Sequence, residues 1–233
     1  MPDSSRSWNR ILLRRVIALL VVLAPLLTAA WFGLCPQYGN PGCPGGPSPI
    51  SAYRSAPDLL LQAFLFVNLI VPYVYPLSYL GLGWVALTRA PLLATVGMAS
   101  GWVGSVPFGY FADQSGLLAA MARLQHDQPY TALIGEYMHD PHLLAVSTGW
   151  VIGHLVAYVL LGVALLRSGS TPRWSGALLI VAALVMGPLA YGTGSNVLQV
   201  GGFIAVAVAS VPAGARLWLG ENLDSNAFSG QRS

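Results

Sequence analysis

The stretch "WSGALLIVAALVMGPLAYGTGSNVLQVGGFIAVAVASVPAGA", Trp174 to Ala215, contains no charged side chain and is about twice as long as one bilayer crossing needs. Turn-forming residues sit at its centre, "GTGSN" from Gly192 to Asn196, and they divide it into two helices, about 174–191 and 197–215. Reading back along the chain, four more runs are long and apolar enough to cross. They are 143–166, interrupted only by His154; 90–112; 59–88, where Pro72 and Pro76 supply a kink; and 16–34, directly after Arg14 and Arg15. With 55% hydrophobic and 8% charged residues, the composition is that of a membrane protein. The expectation is an all-α, polytopic membrane helix bundle: one domain, residues 1–233, with six transmembrane helices.

Arginine sets the expected orientation, because the chain has no lysine and arginines in short loops stay on the cytoplasmic side. With the N-terminus inside, Arg6, Arg10, Arg14, Arg15, Arg89, Arg167, Arg173, Arg216 and Arg232 are cytoplasmic, and only Arg54 and Arg123 lie outside. Both termini are then cytoplasmic in a cell-membrane protein. The basic balance reads as topology, since no basic stripe with interleaved aromatics points to a nucleic acid. The first helix reads as an uncleaved anchor: its run exceeds a signal-peptide h-region, and "TAAWFG" is the nearest approach to a cleavage site.

Two outer segments of real length remain, 35–57 and 113–142. The first, "CPQYGNPGCPGGPSPISAYRSAP", is too rich in proline and glycine for a helix. It holds the only two cysteines, Cys35 and Cys43, and a disulfide closing this short loop is the natural pairing on the oxidising side. The second reads as two amphipathic helices on the outer leaflet or capping the bundle. One is N-capped by Asp113 and runs to about His126, with Leu117, Leu118, Met121 and Leu124 on one face. The other carries Tyr130, Leu133, Ile134 and Tyr137 on one face, with Glu136 and His139 opposite.

Four titratable side chains crowd into "EYMHDPH", Glu136 to His142. Glu136 and His139 stand three apart on a helix, and His142 can add a third ligand of a zinc-type metal site. Amphipathic geometry alone also predicts polar residues at this place, and the spacing is not that of H-E-x-x-H. His154 lies near the middle of the fourth predicted span, about 18 Å along the axis from His142. An ionisable group at such depth is costly and should face the bundle interior, as a ligand, proton relay or general base. A plain alternative is a neutral imidazole bonded to Asn68, Gln62 or Ser100. Asp58 and Asp113 stand at the outer ends of their helices, where two carboxyls can divide acid and base roles. His154, Asp113 and Glu136 are therefore the candidate catalytic set. No cofactor is identified: a bis-histidine haem lacks a second intramembrane histidine, and neither a P-loop nor a G-x-S-x-G elbow occurs. Gly97-x-x-x-Gly101 with Ser105, and Gly149-x-x-x-Gly153 with Ala157, predict close packing of the third and fourth spans beside His154.

From the fourth predicted helix onward, "GHLVAYVLLGVALLRSGSTPRWSGALLIVAALVMGP", starting at Gly153, resembles the DUF4386-type bacterial multi-pass membrane proteins in its histidine-bearing helix and its "LRSG..PRW.G" turn. That resemblance, over residues 150–188, implies a six-helix fold and no activity, and the Cys-bearing loop departs from it. The membrane-embedded meroterpenoid cyclases are similar in size, but their acidic helix motifs are absent here. The function expected is binding or processing of a hydrophobic, lipid-like small molecule in an outward-open intramembrane cavity. The alternatives are an acid/base enzyme such as an isoprenoid cyclase, and a non-catalytic subunit of a membrane complex with a protein partner.

Overall fold

The structure, a computed structural model, describes residues 4–36, 49–124, 128–137 and 139–220. Its helices are α1 (Ser4–Leu34), α2 (Pro49–Ser55), α3 (Asp58–Ala86), α4 (Pro91–Ala122), α5 (Gln128–Tyr137), α6 (Pro141–Ser168), α7 (Arg173–Val185) and α8 (Asn196–Leu219). A π-helical turn, Met186–Tyr191, prolongs α7. Among the described residues there is no strand, and six helices are long and apolar enough to cross a membrane: α1, α3, α4, α6, α7 with its π turn, and α8.

The long apolar run does divide where the turn residues stand. Gly194 takes a left-handed φ of 66°, and the Ser195 hydroxyl accepts the N–H of Leu198 at 3.4 Å, capping α8. On the other side of the break Pro188 has no N–H to give the helix, and the backbone widens into the π turn.

The six long helices form a closed ring. Each packs on the one before and the one after it in sequence, α8 returns to α1, and α3 reaches across to α6 and α8. Connections of a few residues (87–90, 169–172, 192–195) leave little choice but antiparallel neighbours. Glycine lets the walls close. A Cβ on Gly153 of α6 would stand 2.5 Å from Gly104 Cα of α4, and Gly162 and Gly176 meet in the same way between α6 and α7. The predicted close contact beside His154 thus exists, through Gly153 of the expected pattern and through Gly97, where a Cβ would stand 2.8 Å from Leu161 of α6. Gly101 instead makes room for Tyr79 of α3, and a Cβ on Gly149 would meet nothing within 4 Å.

Arg89 donates to Ser168 O and Arg216 to Ser170 O, so α3, α4, α6, α7 and α8 are level at the arginine-rich end. Lengths differ at the other end. α4 and α6, with 32 and 28 residues, are about 48 and 42 Å long, whereas Arg173–Tyr191, with 19 residues, gives α7 about 28 Å. The far ends of α4 and α6 therefore stand beyond α7 and, with α2 and α5, form a cap.

Two expectations for the cap are corrected. Asp113 does not begin a separate interfacial helix: α4 runs through it to Ala122, because Leu118, Ala119, Met121 and Ala122 keep a buried face in register with the helix below. The end of the Pro/Gly-rich segment does form a helix, α2, with Pro49 in its first turn and Ile50 and Tyr53 buried one turn apart. Arg54 of α2 then donates from Nε to Ala122 O (2.9 Å) and from Nη2 to Leu124 O (2.6 Å), covering carbonyls that the end of α4 leaves open. Cys35 is buried at the end of α1, while Cys43 lies outside the described residues, as does His126.

Candidate functional site: the aromatic core and the cap

Trp150, His154 and Tyr158 recur at every fourth position of α6 and so share its inward face. Every other ring helix sends aromatics toward them: Trp31 and Phe32 from α1, Tyr75 and Tyr79 from α3, Phe108 from α4, Tyr191 from the π turn and Phe203 from α8. The His154 ring lies 4.5 Å from Trp150, 5.4 Å from Tyr191 and 6.0 Å, stacked, from Phe203, and none of its surface is exposed. Its Nδ1 is 2.5 Å from Trp150 O, and its Nε2 is 3.1 Å from the Tyr191 hydroxyl. A carbonyl only accepts, so the proton sits on Nδ1 and Tyr191 donates to Nε2.

None of the partners expected from the sequence is used. Asn68 accepts from Trp31 Nε1 at 2.6 Å, Gln62 is exposed, and Ser100 lines a groove between α4 and α6. Tyr75 and Tyr158 join their hydroxyls at 2.8 Å. His154 is about 21 Å along α6 from Ser168, beside the last residue of the α7 π turn.

At the cap, Glu136, His139 and His142 are all exposed. His139 Nδ1 lies 2.8 Å from Gly135 O in its own helix, and His142 Nδ1 lies 3.3 Å from Asp140. Asp140 is the N-cap of α6: its carboxylate accepts the N–H groups of His142 at 2.7 Å and Leu143 at 3.4 Å, with Pro141 next in line. Those hydrogen bonds, the His142 N–H first, hold its carboxyl below the usual aspartate range. The density of "EYMHDPH" is that of one helix ending and the next being capped. Among the described residues, no group of three His, Cys, Asp or Glu side chains is placed to hold a metal ion.

The structure parts the three candidate catalytic residues. Asp113 lines a pocket of about 200 Å³ between α4 and α5, together with Gln114, Leu117, Met121, Leu133, Ile134 and Tyr137. His154 lines none of the described pockets, and Glu136 stands exposed next to Tyr137. Asp58, exposed at the start of α3, is not among the residues of the Asp113 pocket. In the cap core, burial pushes the Tyr53 phenol up to about 12 against the opposing effect of the Ser115 hydroxyl. The sequence reading passed over Tyr191, Phe203 and Trp150. The fourfold spacing of Trp150, His154 and Tyr158 was the available signal for the last of these.

Compared with known proteins, the chain matches no family model, no curated protein and no solved structure.

Proposed function

We propose that the chain is a multi-pass cell-membrane protein, both termini cytoplasmic, that binds a hydrophobic, lipid-like small molecule at its outer face in the pocket between α4 and α5. One observation carries this reading: five apolar or aromatic side chains line that pocket beside a single carboxylate, Asp113. Pockets with an apolar lining and few polar groups suit ligands with an apolar body and one polar point. The orientation rests on arginine: Arg10, Arg14, Arg15, Arg89, Arg167, Arg173 and Arg216 stand toward one end of the ring, Arg54 and Arg123 at the cap. The likeness to the DUF4386-type proteins is consistent with six crossings and adds no chemistry.

His154 favours a second reading, a non-catalytic subunit, over an acid/base enzyme. Both ring nitrogens are occupied and the imidazole is enclosed by aromatics, as suits a structural core. Mass spectrometry of the gently extracted protein tests the first reading. A small amphiphile retained by the wild type and lost from Leu133→Trp, which fills the pocket, supports it; no retained molecule, or one indifferent to Leu133→Trp, overturns it.

A further inference from the structure

At the arginine-rich end, Arg89 and Arg216 reach the turn between α6 and α7 from separate elements, and Arg14 lies against the end of α8, the helix that carries Arg216. Arg89, in the connection from α3 to α4, donates from Nη1 to Ser168 O at 3.0 Å, and Arg216 of α8 donates to Ser170 O. Arg14 of α1 lays its guanidinium against Gly220, which ends α8 with a left-handed φ of 69°. The turn between α6 and α7 is itself rich in hydroxyls. Ser168 and Ser170 bond each other at 2.6 Å, whereas Thr171, only 7% exposed, has a buried hydroxyl with no hydrogen-bond partner. The Nε of Arg14 is likewise buried without an acceptor. α7 opens directly afterwards behind Pro172, with no side chain capping its first N–H groups.

Buried polar atoms left without partners are costly, and a hydroxyl, a guanidinium N–H and an uncapped helix start share one remedy, an anionic oxygen. Arg89 gives one N–H to Ser168 and has further donors for such an oxygen. The level of this turn identifies the source. Trp174 is 50% exposed just after it, and Trp218 is 43% exposed with the Arg15 guanidinium 5.2 Å from its ring, an aromatic and basic pairing typical of the membrane–water boundary. We propose that the α6–α7 turn, with Arg14, Arg89 and Thr171, binds the phosphate of an anionic lipid in the leaflet at the arginine-rich end. The two arginines supply charge, Thr171 and the start of α7 supply short-range donors, and Arg216 holds the turn in place.

The test is native mass spectrometry of the full chain in detergent, titrated with phosphatidylglycerol and, separately, phosphatidylcholine. The expected result is preferential retention of phosphatidylglycerol, reduced about fivefold for each arginine lost in Arg14→Gln and Arg89→Gln. Thr171→Val leaves every charge in place and is expected to weaken the same adduct about fivefold. Equal retention of the two lipids, or a phosphatidylglycerol adduct unchanged in Thr171→Val and in the arginine variants, overturns the proposal. Added sodium phosphate separates the two sources of phosphate: an adduct that resists it supports the lipid assignment, and displacement overturns it.

Discussion

The hydroxyl of Tyr191 meets Nε2 of His154 at 3.1 Å, joining the π turn of α7 to the aromatic face of α6 across a ring that both helices help to close. The contact makes His154 part of the frame. Tyr191→Phe removes only the hydroxyl and leaves Nε2 buried without its donor, so it should destabilise the protein by about 0.5–1.5 kcal/mol. His154→Ala empties a filled position and should cost about 2–4 kcal/mol. Thermal unfolding in detergent, followed by retention on size exclusion, measures both. A His154→Ala protein as stable as the wild type would remove the structural role assigned here.

Gly153 and Gly149 belong to one G-x-x-x-G pattern, and the structure separates them. Gly153→Ala would drive a Cβ to 2.5 Å from Gly104 Cα, a backbone atom that cannot swing away, and should cost about 1–3 kcal/mol. Gly149→Ala meets nothing within 4 Å and should be neutral or stabilising by up to about 1 kcal/mol through helix propensity. The same unfolding assay ranks the pair, and equal losses would contradict the observed crossing.

Asp140 gives a pH dependence whose sign follows from its cap. Its folded-state carboxyl lies below the ordinary value of about 3.9, so its contribution is complete above that value and is lost as pH falls through the lower, folded-state value. Amide exchange at His142 and Leu143 should rise below about pH 3.9 in the wild type, by the same principle. In Asp140→Ala it should be high at every pH.

Cys35 and Cys43 are proposed as a disulfide closing the loop after α1. Alkylation of the denatured chain should then add no mass without reductant and two adducts with it. Two adducts without reductant would leave the loop open.

The crossings were legible in the sequence because hydrocarbon penalises charge so strongly that charge-free length alone marks them, and because Gly192–Asn196 cannot continue a helix. The split of the Trp174–Ala215 run needed no tertiary information. The extent of α4 was not legible: its polarity rises from Asp113, and only packing by Leu118, Met121 and α2 shows that the helix continues. His154 was singled out for a sound reason, the cost of an ionisable group in lipid. Its partner was missed because Tyr191 lies on a π turn, where helical periodicity fails. In "EYMHDPH", the pairing of Asp140 with Pro141 is a helix-start signal that stood in plain view among louder metal-ligand types.

The unequal lengths of the ring helices bear on how the molecule can be handled from the cap side. The ends of α4 and α6 continue, without a joint, from a seam where two glycines bring the backbones together, and Arg54 ties α2 to the tip. They carry the packing of the ring into the cap. A nanobody raised against the cap would bind helix ends that run unbroken into the ring, so that its orientation reports on that of the ring, a fiducial that the short loops 87–90 and 169–172 do not offer.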